Sequence, residues 1–215
     1  MTTDKTLQAN VLAELDWEPS VNAAHIGVTA KDGIVTLTGH VENYMEKYAA
    51  DKATGRVKGV RAVAEEIEVR LPHHAQKNDD EIAAALLLRL DWNVSVPDKA
   101  VQPKVEKGWV TLTGQVDWQF QKEAAEHDIR GMLGVVGISN WIKIKERPNA
   151  VNIGADITEA LHRSWYDPKT INVTASGGTV RLTGTVDNWY DRQMAGWTAW
   201  AAPGATTVEN NIRVV

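Results

Sequence analysis

The sequence predicts an α+β chain built from three tandem copies of one small α-β-β-α-β unit. The pattern G-x-V-x-L-T-G begins at Gly33, Gly108 and Gly178, so its copies recur at intervals of roughly 70 to 75 residues. A fixed period of this kind indicates a repeat architecture. Segments with helical or strand-like spacing flank every copy. We therefore expect three two-layer sandwiches, each with two helices on one face of a three-stranded mixed sheet.

The predicted domains are residues 1–71, 78–146 and 152–215 of the 215-residue chain. The two segments between them are short and contain proline and polar residues, as linkers do. The third domain has a loop five residues shorter, from Ile157 to Ile171, than the equivalent loop from Leu7 to Ile26. Units of this size are marginally stable alone, so contacts between them are expected to matter.

The first helix of each unit is predicted from apolar residues that recur at helical spacing. In the first two units this stripe consists of matched residues: Leu7, Val11, Leu12 and Leu15, and then Ile82, Leu86, Leu87 and Leu90. An alternating segment follows, Ile26-Val28-Ala30 in the first unit, and it predicts a half-buried strand. Pro103 falls in the second copy of this strand, which predicts an edge position because proline cannot donate to a ladder.

The repeated heptapeptide is interpreted as the returning, central strand of each sheet. In the first copy Val35 and Leu37 would face the core, while Ile34, Thr36 and Thr38 face the other side. The strand–helix–strand connection that follows should cross over right-handedly and bring the last strand parallel to this one. A carboxylate before the second helix, such as Glu42, is interpreted as a helix cap.

Glycine marks the turn before the central strand, the end of that strand and the end of the second helix. These positions favour a residue that tolerates positive φ. The glycines assigned a structural role are Gly33, Gly39, Gly59, Gly108, Gly114, Gly134, Gly178, Gly184 and Gly204.

Composition limits the function. The chain has no cysteine, which removes disulfide and thiolate chemistry. Its net charge is −5 and no basic block occurs, which argues against nucleic acid as a partner. The N-terminus lacks the apolar core of a secretion signal, and no stretch approaches the ~20 apolar residues of a membrane span. The sequence as given predicts a cytoplasmic protein, or a periplasmic one if a signal peptide was removed.

No pattern of catalytic or metal-ligating residues stands out. The six histidines fall at no metal-binding spacing, and the glycine motif leads into a strand where a phosphate cradle needs a helix. We therefore expect no enzyme activity, no catalytic residue, no metal site and no cofactor.

The nine tryptophans are the unusual feature of the composition. Trp17 and Trp92 follow Leu-Asp at matched positions and are expected to seal the end of the core. Trp165, Trp189, Trp197 and Trp200 all fall in the third unit, where the last three have helical spacing and are expected to pack within the core. Trp109 and Trp141 are predicted on the sheet face that no helix covers, where exposed apolar groups indicate an interface. They are the candidate partner-binding residues. The alternative is that a neighbouring domain or a second copy of the chain covers them.

The pattern G-x-V-x-L-x-G-x-V, followed by a helix, Gly-Val and Asn-x-Ile-x-Val, resembles the BON domain family in three consecutive copies. That family is named for bacterial osmotically inducible periplasmic proteins and rhizobial nodulation proteins. The resemblance implies the α-β-β-α-β fold and a role in bacterial stress or at the envelope. It implies attachment to phospholipid or envelope proteins and, in some members, potassium sensing or holding of client proteins. The family has no agreed catalytic motif.

The sequence leaves two functional hypotheses open. The first is a non-enzymatic binding or scaffold protein of the osmotic or general stress response, with envelope proteins or a phospholipid surface as partner. The low net charge and missing polybasic patch favour proteins over anionic lipid. The second is a cytoplasmic protein that responds to potassium or calcium, or one that holds client proteins. Packing between domains and homo-oligomers are both compatible with this sequence.

Overall fold

The structure is a computed structural model that describes residues 3–146, 152–163, 170–186 and 189–214. Each repeat contributes two helices: α1 (Asp4–Trp17) and α2 (Tyr44–Arg56), α3 (Asp79–Trp92) and α4 (Gln119–Arg130), α5 (Ile153–His162) and α6 (Trp189–Trp200). The strands of the first repeat are β1 (Ile26–Lys31), β2 (Ile34–Val41) and β3 (Ala62–Val69). Those of the second are β4 (Val101–Glu106), β5 (Trp109–Val116), β6 (Gly137–Asn140) and β7 (Lys143–Ile144). Those of the third are β8 (Ile171–Ser176), β9 (Thr179–Val186) and β10 (Thr207–Val214).

The heptapeptide forms the central strand of all three sheets. In the first sheet β1 pairs antiparallel with β2, and β3 pairs parallel with it. The third sheet repeats this arrangement with β8, β9 and β10. The middle sheet has the order β4-β5-β6, and the short β7 also pairs with β5. Its third strand is interrupted, so that β6 and β7 together take the place of one continuous strand. The predicted α+β fold of three α-β-β-α-β units is confirmed.

Both helices of the first repeat cover one face of its sheet. The core joins Leu7, Val11 and Leu15 of α1 to Ala50 and Ala53 of α2. Val28, Val35 and Leu37 complete it from the sheet. Leucine and valine side chains buried in this way are worth about 1.5–3 kcal/mol each. The third repeat has an equivalent core from α5, α6 and its sheet.

The apolar stripe of the first helix is narrower than predicted. Leu12 and Leu87 are exposed at matched positions, whereas the residues immediately N-terminal to them, Val11 and Leu86, are fully buried. Adjacent residues on a helix lie about 100° apart around its axis, so only one of the two faces the sheet. The stripe therefore follows positions i, i+4 and i+8.

The predicted carboxylate cap of the second helix is wrong in the first repeat. Asn43 is the cap, and its side-chain oxygen accepts a hydrogen bond from the Glu46 amide at 2.8 Å. Glu42 has another role: its amide donates to Glu46 Oε2 at 3.0 Å, and the Asn22 amide donates to Glu46 Oε1 at 2.8 Å. A carboxylate one turn inside the helix thus holds two loop amides, as in a capping box.

The second repeat uses an amide for the same purpose. Gln121 Oε1 accepts hydrogen bonds from the amides of Asp117 at 2.9 Å and Trp118 at 3.1 Å. The carboxylate of Asp117 instead lies 3.6 Å from Lys145 Nζ. The equivalent Asp187 of the third repeat lies outside the described residues.

The glycines before the central strand and near its end have positive φ. In the first repeat φ is 80° at Gly33, in the turn, and 112° at Gly39, near the strand end. A Cβ on Gly39 would overlap the carbonyl oxygen of His25, which precedes β1. Gly114 and Gly184 are placed in the same way against the carbonyls of Ala100 and Thr170. Glycine is thus required at this position both by its φ and by the close backbone approach.

Two compact units can be distinguished in the chain. One comprises Met1–Leu90, Pro103–Leu112 and Glu126–Ser139, and the other comprises Asp91–Gln102, Thr113–Ala125 and Asn140–Val215. The middle repeat contributes residues to both. This division differs from the three domains predicted from the sequence, whose bounds stay a prediction.

Within the first unit, a cationic side chain of α4 lies on an aromatic ring of α2. The Arg130 guanidinium is 3.8 Å from the centre of the Tyr48 ring. Arg130 also pairs with Glu126 at 2.9 Å, one turn earlier on α4. Burial raises the pKa of Tyr44 on α2, and the Glu126 carboxylate raises it further. The contact joins helices of two different repeats.

We expect Gly39→Ala to lower the free energy of unfolding by about 2–4 kcal/mol, since alanine disfavours positive φ and its Cβ would collide with a backbone carbonyl. Gly55→Ala is the matched control. Gly55 lies in α2, and a Cβ there would meet nothing within 4 Å, so we expect a gain of up to ~1 kcal/mol. Urea unfolding followed by circular dichroism measures both. Equal stability of the two variants would contradict this view of Gly39.

Replacement of Arg130 by alanine should lower the free energy of unfolding by about 1–2 kcal/mol, because a partly buried cation–π contact and an ion pair are both lost. Arg70→Ala is the control: its ion pair with Glu68 at 2.7 Å is exposed, and such pairs contribute about 0–1 kcal/mol. Thermal and urea unfolding measure the difference. A loss no larger than that of Arg70→Ala would show that the α2–α4 contact contributes little.

Candidate functional site

Trp109 begins β5 in the first compact unit, and its indole is fixed by two contacts. Its Nε1 donates a hydrogen bond to Ser139 Oγ at 2.9 Å. Its six-membered ring lies so close to Gly137 that any Cβ at that position would overlap it. The side chain remains 45% exposed. Trp109 therefore combines a packed ring face with an accessible one.

Trp141 lies in the second compact unit, in the interruption between β6 and β7. The preceding Asn140 holds this interruption in place: its side-chain oxygen accepts from the Ile142 amide at 3.2 Å, and its Nδ2 donates to the Lys122 carbonyl at 3.0 Å. Ile142 is buried, whereas Trp141 is 67% exposed. The sequence predicts Trp141 on a face of the sheet, whereas it lies in a break of the last strand that the hydrogen bonds of Asn140 explain.

Trp109 and Trp141 thus both present indole surface, each within its own unit. Their assignment as partner-binding residues stays a prediction. Trp109 is partly covered by its own sheet, while Trp141 has the greater free surface.

The expectation that Trp17 and Trp92 seal the core is wrong. They are 83% and 85% exposed, respectively. They are the last residues of helices α1 and α3, so the direction of each side chain is set by its position around the helix axis. Two residues beyond the buried Leu15, Trp17 lies about 200° around the helix axis and points away from the core. Extending the apolar period to the helix end would have revealed this from sequence.

A pocket in the second unit is lined mainly by aromatic side chains of α4 and α6 and of the residue before α4. We call it the aromatic pocket. Its lining comprises Trp118, Gln119, Phe120, Glu123, Trp197, Trp200 and Ala201, and its volume is about 400 Å³.

The aromatic pocket corrects the expectation that Trp197 and Trp200 pack within the core. Trp197 is 50% exposed and Trp200 is half-buried, whereas the buried positions of α6 include the small residues Ala195 and Ala199. The side chain of Trp189 and the whole of Trp165 lie outside the described residues. Sequence reasoning missed the pocket because its walls come from two repeats.

Among the residues that the structure describes, no group of three or more His, Asp or Glu side chains could hold a metal ion. The rings of His25, which precedes β1, and His40, in β2, stack with 4.8 Å between their centres. Burial raises the pKa of the Glu65 carboxyl in β3, partly offset by Lys47. The described helices include none that is long and apolar enough to cross a bilayer.

Comparison with known proteins identifies relatives of the chain. The BON domain family matches residues 3–70, 78–146 and 149–215. The osmotically-inducible protein Y of Escherichia coli (strain K12) is 28% identical over 146 residues, which cover 66% of this chain and 73% of that protein.

Among solved structures, two of CdsD, a structural protein of the type III secretion system of Chlamydia trachomatis, give matches. One is 15% identical, with a TM-score of 0.28, and covers 96% of this chain and 91% of its own. The other, of the C-terminal domain, is 16% identical, with a TM-score of 0.27, and covers 97% of each chain.

We expect Trp109→Ala to cost roughly 2 kcal/mol of stability and Trp141→Ala less than about 0.5 kcal/mol, since only the first indole is packed and hydrogen-bonded. Gly137→Ala provides a sharper test. It should destabilise the wild-type protein by about 1–3 kcal/mol through overlap with the indole, and much less in the Trp109→Ala background, where the space is vacant. Urea unfolding of the wild type, the two single variants Trp109→Ala and Gly137→Ala, and the double variant gives the coupling energy between the two positions. Additive effects would contradict the contact.

Proposed function

Because the chain belongs to the BON domain family, we propose that it is a non-enzymatic binding protein of the bacterial osmotic or general stress response. Its similarity to an osmotically inducible protein supports the stress role. In this proposal the repeats contact an envelope protein through exposed indoles, and the three modules on one chain gain affinity by engaging together.

The observation that carries the proposal is the exposure of Trp17 and Trp92 at equivalent positions of two repeats. Exposing an indole to water is unfavourable, and tryptophan is enriched among residues that dominate binding energy at protein interfaces. A surface that occurs twice in equivalent form suits a repeated or extended partner. Trp141 adds a third accessible indole.

A protein partner is favoured over a lipid surface by charge. The chain carries a net charge of −5, and juxtaposition with an anionic leaflet is repulsive without a basic patch. Arg56, beside Trp17, is occupied by ion pairs to Glu14 at 3.0 Å and Glu18 at 2.8 Å. Its charge is therefore compensated within the protein and offers little to a phosphate.

The test is a double variant, Trp17→Ala with Trp92→Ala, expressed in the native host. Both indoles are exposed, so the melting temperature should hardly change. Recovery of a partner by crosslinking after osmotic upshift should fall at least tenfold, because truncation of an interface tryptophan commonly costs 2 kcal/mol or more. Quantitative mass spectrometry of the crosslinked material measures the loss.

Leu133→Ala is the matched control. Leu133 is also an exposed apolar residue, but the equivalent position of the first repeat is Lys58, so it does not repeat. Its partner recovery should equal that of the wild type. Unchanged recovery in the double variant would contradict the proposal. Flotation of the purified protein with phosphatidylcholine or phosphatidylglycerol vesicles that is lost in the double variant would identify a lipid surface, and not a protein, as the partner of these indoles.

A further inference from the structure

We propose that the aromatic pocket binds a quaternary ammonium group, such as the trimethylammonium of choline. This site is separate from the indoles of Trp17 and Trp92 and does not depend on the proposed protein partner. It uses the pocket's aromatic side chains as walls and the Glu123 carboxylate as counter-charge.

The dimensions of the pocket suit a small molecule. Its volume of about 400 Å³ falls within the usual range of about 300–1,000 Å³ for ligand sites. Four of the seven lining residues are aromatic, and the only polar ones are Gln119 and Glu123. A site of this composition recognises its ligand mainly through π faces and a single charge.

The fold does not require tryptophan or phenylalanine at these positions. Trp118 replaces Asn43, the helix-capping residue of the first repeat. Tryptophan offers no side-chain acceptor to the helix amides, so the replacement gives up a capping bond. Gln121 accepts from the Trp118 amide but does not restore the missing acceptor. A local rule broken in this way is a mark of a functional position.

The α6 side of the pocket shows the same divergence. By register of the repeats, Trp197 corresponds to Lys52 and His127, and Trp200 to Gly55 and Arg130. The same helix therefore forms in the other repeats with unrelated side chains at both positions. The two indoles of α6 serve the pocket and not the architecture.

The charge of the site selects a cation. Aromatic faces attract cations through the ring quadrupole, and aromatic cages are used to recognise quaternary ammonium ligands. Among the described lining residues none is basic, and Glu123 supplies a carboxylate. Gln119 Nε2 donates to Glu123 Oε1 at 3.1 Å and orients it. An anion would meet this carboxylate without a compensating charge.

The nature of the walls selects a quaternary over a primary ammonium. A primary ammonium has three N–H donors, and it loses its hydration on entry unless acceptors replace the water. The pocket offers only Gln119 and Glu123 as side-chain acceptors. A trimethylammonium has no donor to satisfy, and its methyl groups can lie directly against indole and phenyl faces.

The experiment is calorimetric titration of the full chain with choline and with 3,3-dimethylbutan-1-ol, its neutral isostere, at constant ionic strength. Choline should bind at least tenfold more tightly than the isostere. Glu123→Gln should reduce this ratio severalfold. Trp118→Asn should abolish measurable choline binding, and it should fold because asparagine is the residue of the first repeat at this position. Leu133→Ala, at an exposed apolar residue outside both the pocket lining and the proposed partner surface, should bind choline as the wild type does.

The outcomes separate the alternatives. Equal affinity for choline and the isostere would overturn the proposal and indicate an apolar groove. Absence of choline binding would also overturn it. Flotation with phosphatidylcholine vesicles, lost in Trp118→Asn but kept in Leu133→Ala, would identify a lipid headgroup as the source of the same ammonium. Choline binding without flotation would identify a free solute. Neither result depends on the crosslinking of the proposed partner.

Discussion

Each sheet depends on one close backbone approach, between the glycine near the end of the central strand and the carbonyl that precedes the first strand. In the first repeat these groups are Gly39 and the carbonyl of His25. A side chain there would separate the strands where Ile26 pairs with Gly39. The loss would extend to α1, whose buried residues share a core with β1 and β2. The closing glycine of the heptapeptide thus allows the two hairpin strands to approach closely, and these strands contribute to the core shared with both helices.

This constraint explains why the fold was predictable from sequence and the surfaces only in part. Period-two alternation placed Val35 and Leu37 correctly, because burial on one face of a strand imposes that period directly. The burial of helical residues was predicted less well. Leu12 and Trp17 are apolar yet exposed, since the sheet contacts only a narrow stripe of α1. Composition alone cannot distinguish an apolar residue on that stripe from one beside it.

The aromatic pocket marks a different limit. Its walls belong to two repeats, and no local pattern tells that the start of α4 meets the end of α6. The exchange of a capping Asn43 for Trp118 was nevertheless visible once the repeats were aligned residue by residue. Repeat alignment is therefore informative in two ways. Shared residues report the architecture, and departures at cap or surface positions report where one copy has acquired a further role.

Among the described strands, the third strand of each sheet lies at an edge, and one side of its backbone pairs with no strand of that sheet. Such an edge is a template for adding a strand from another chain. The first sheet carries three glutamates on this strand, Glu65, Glu66 and Glu68, which would repel a second copy in register. The middle sheet interrupts the strand at Trp141. In contrast, β10 is continuous over eight residues, and its two charges, Glu209 and Arg213, are of opposite sign. Among the third strands, like charge therefore opposes in-register edge pairing most at β3 and least at β10.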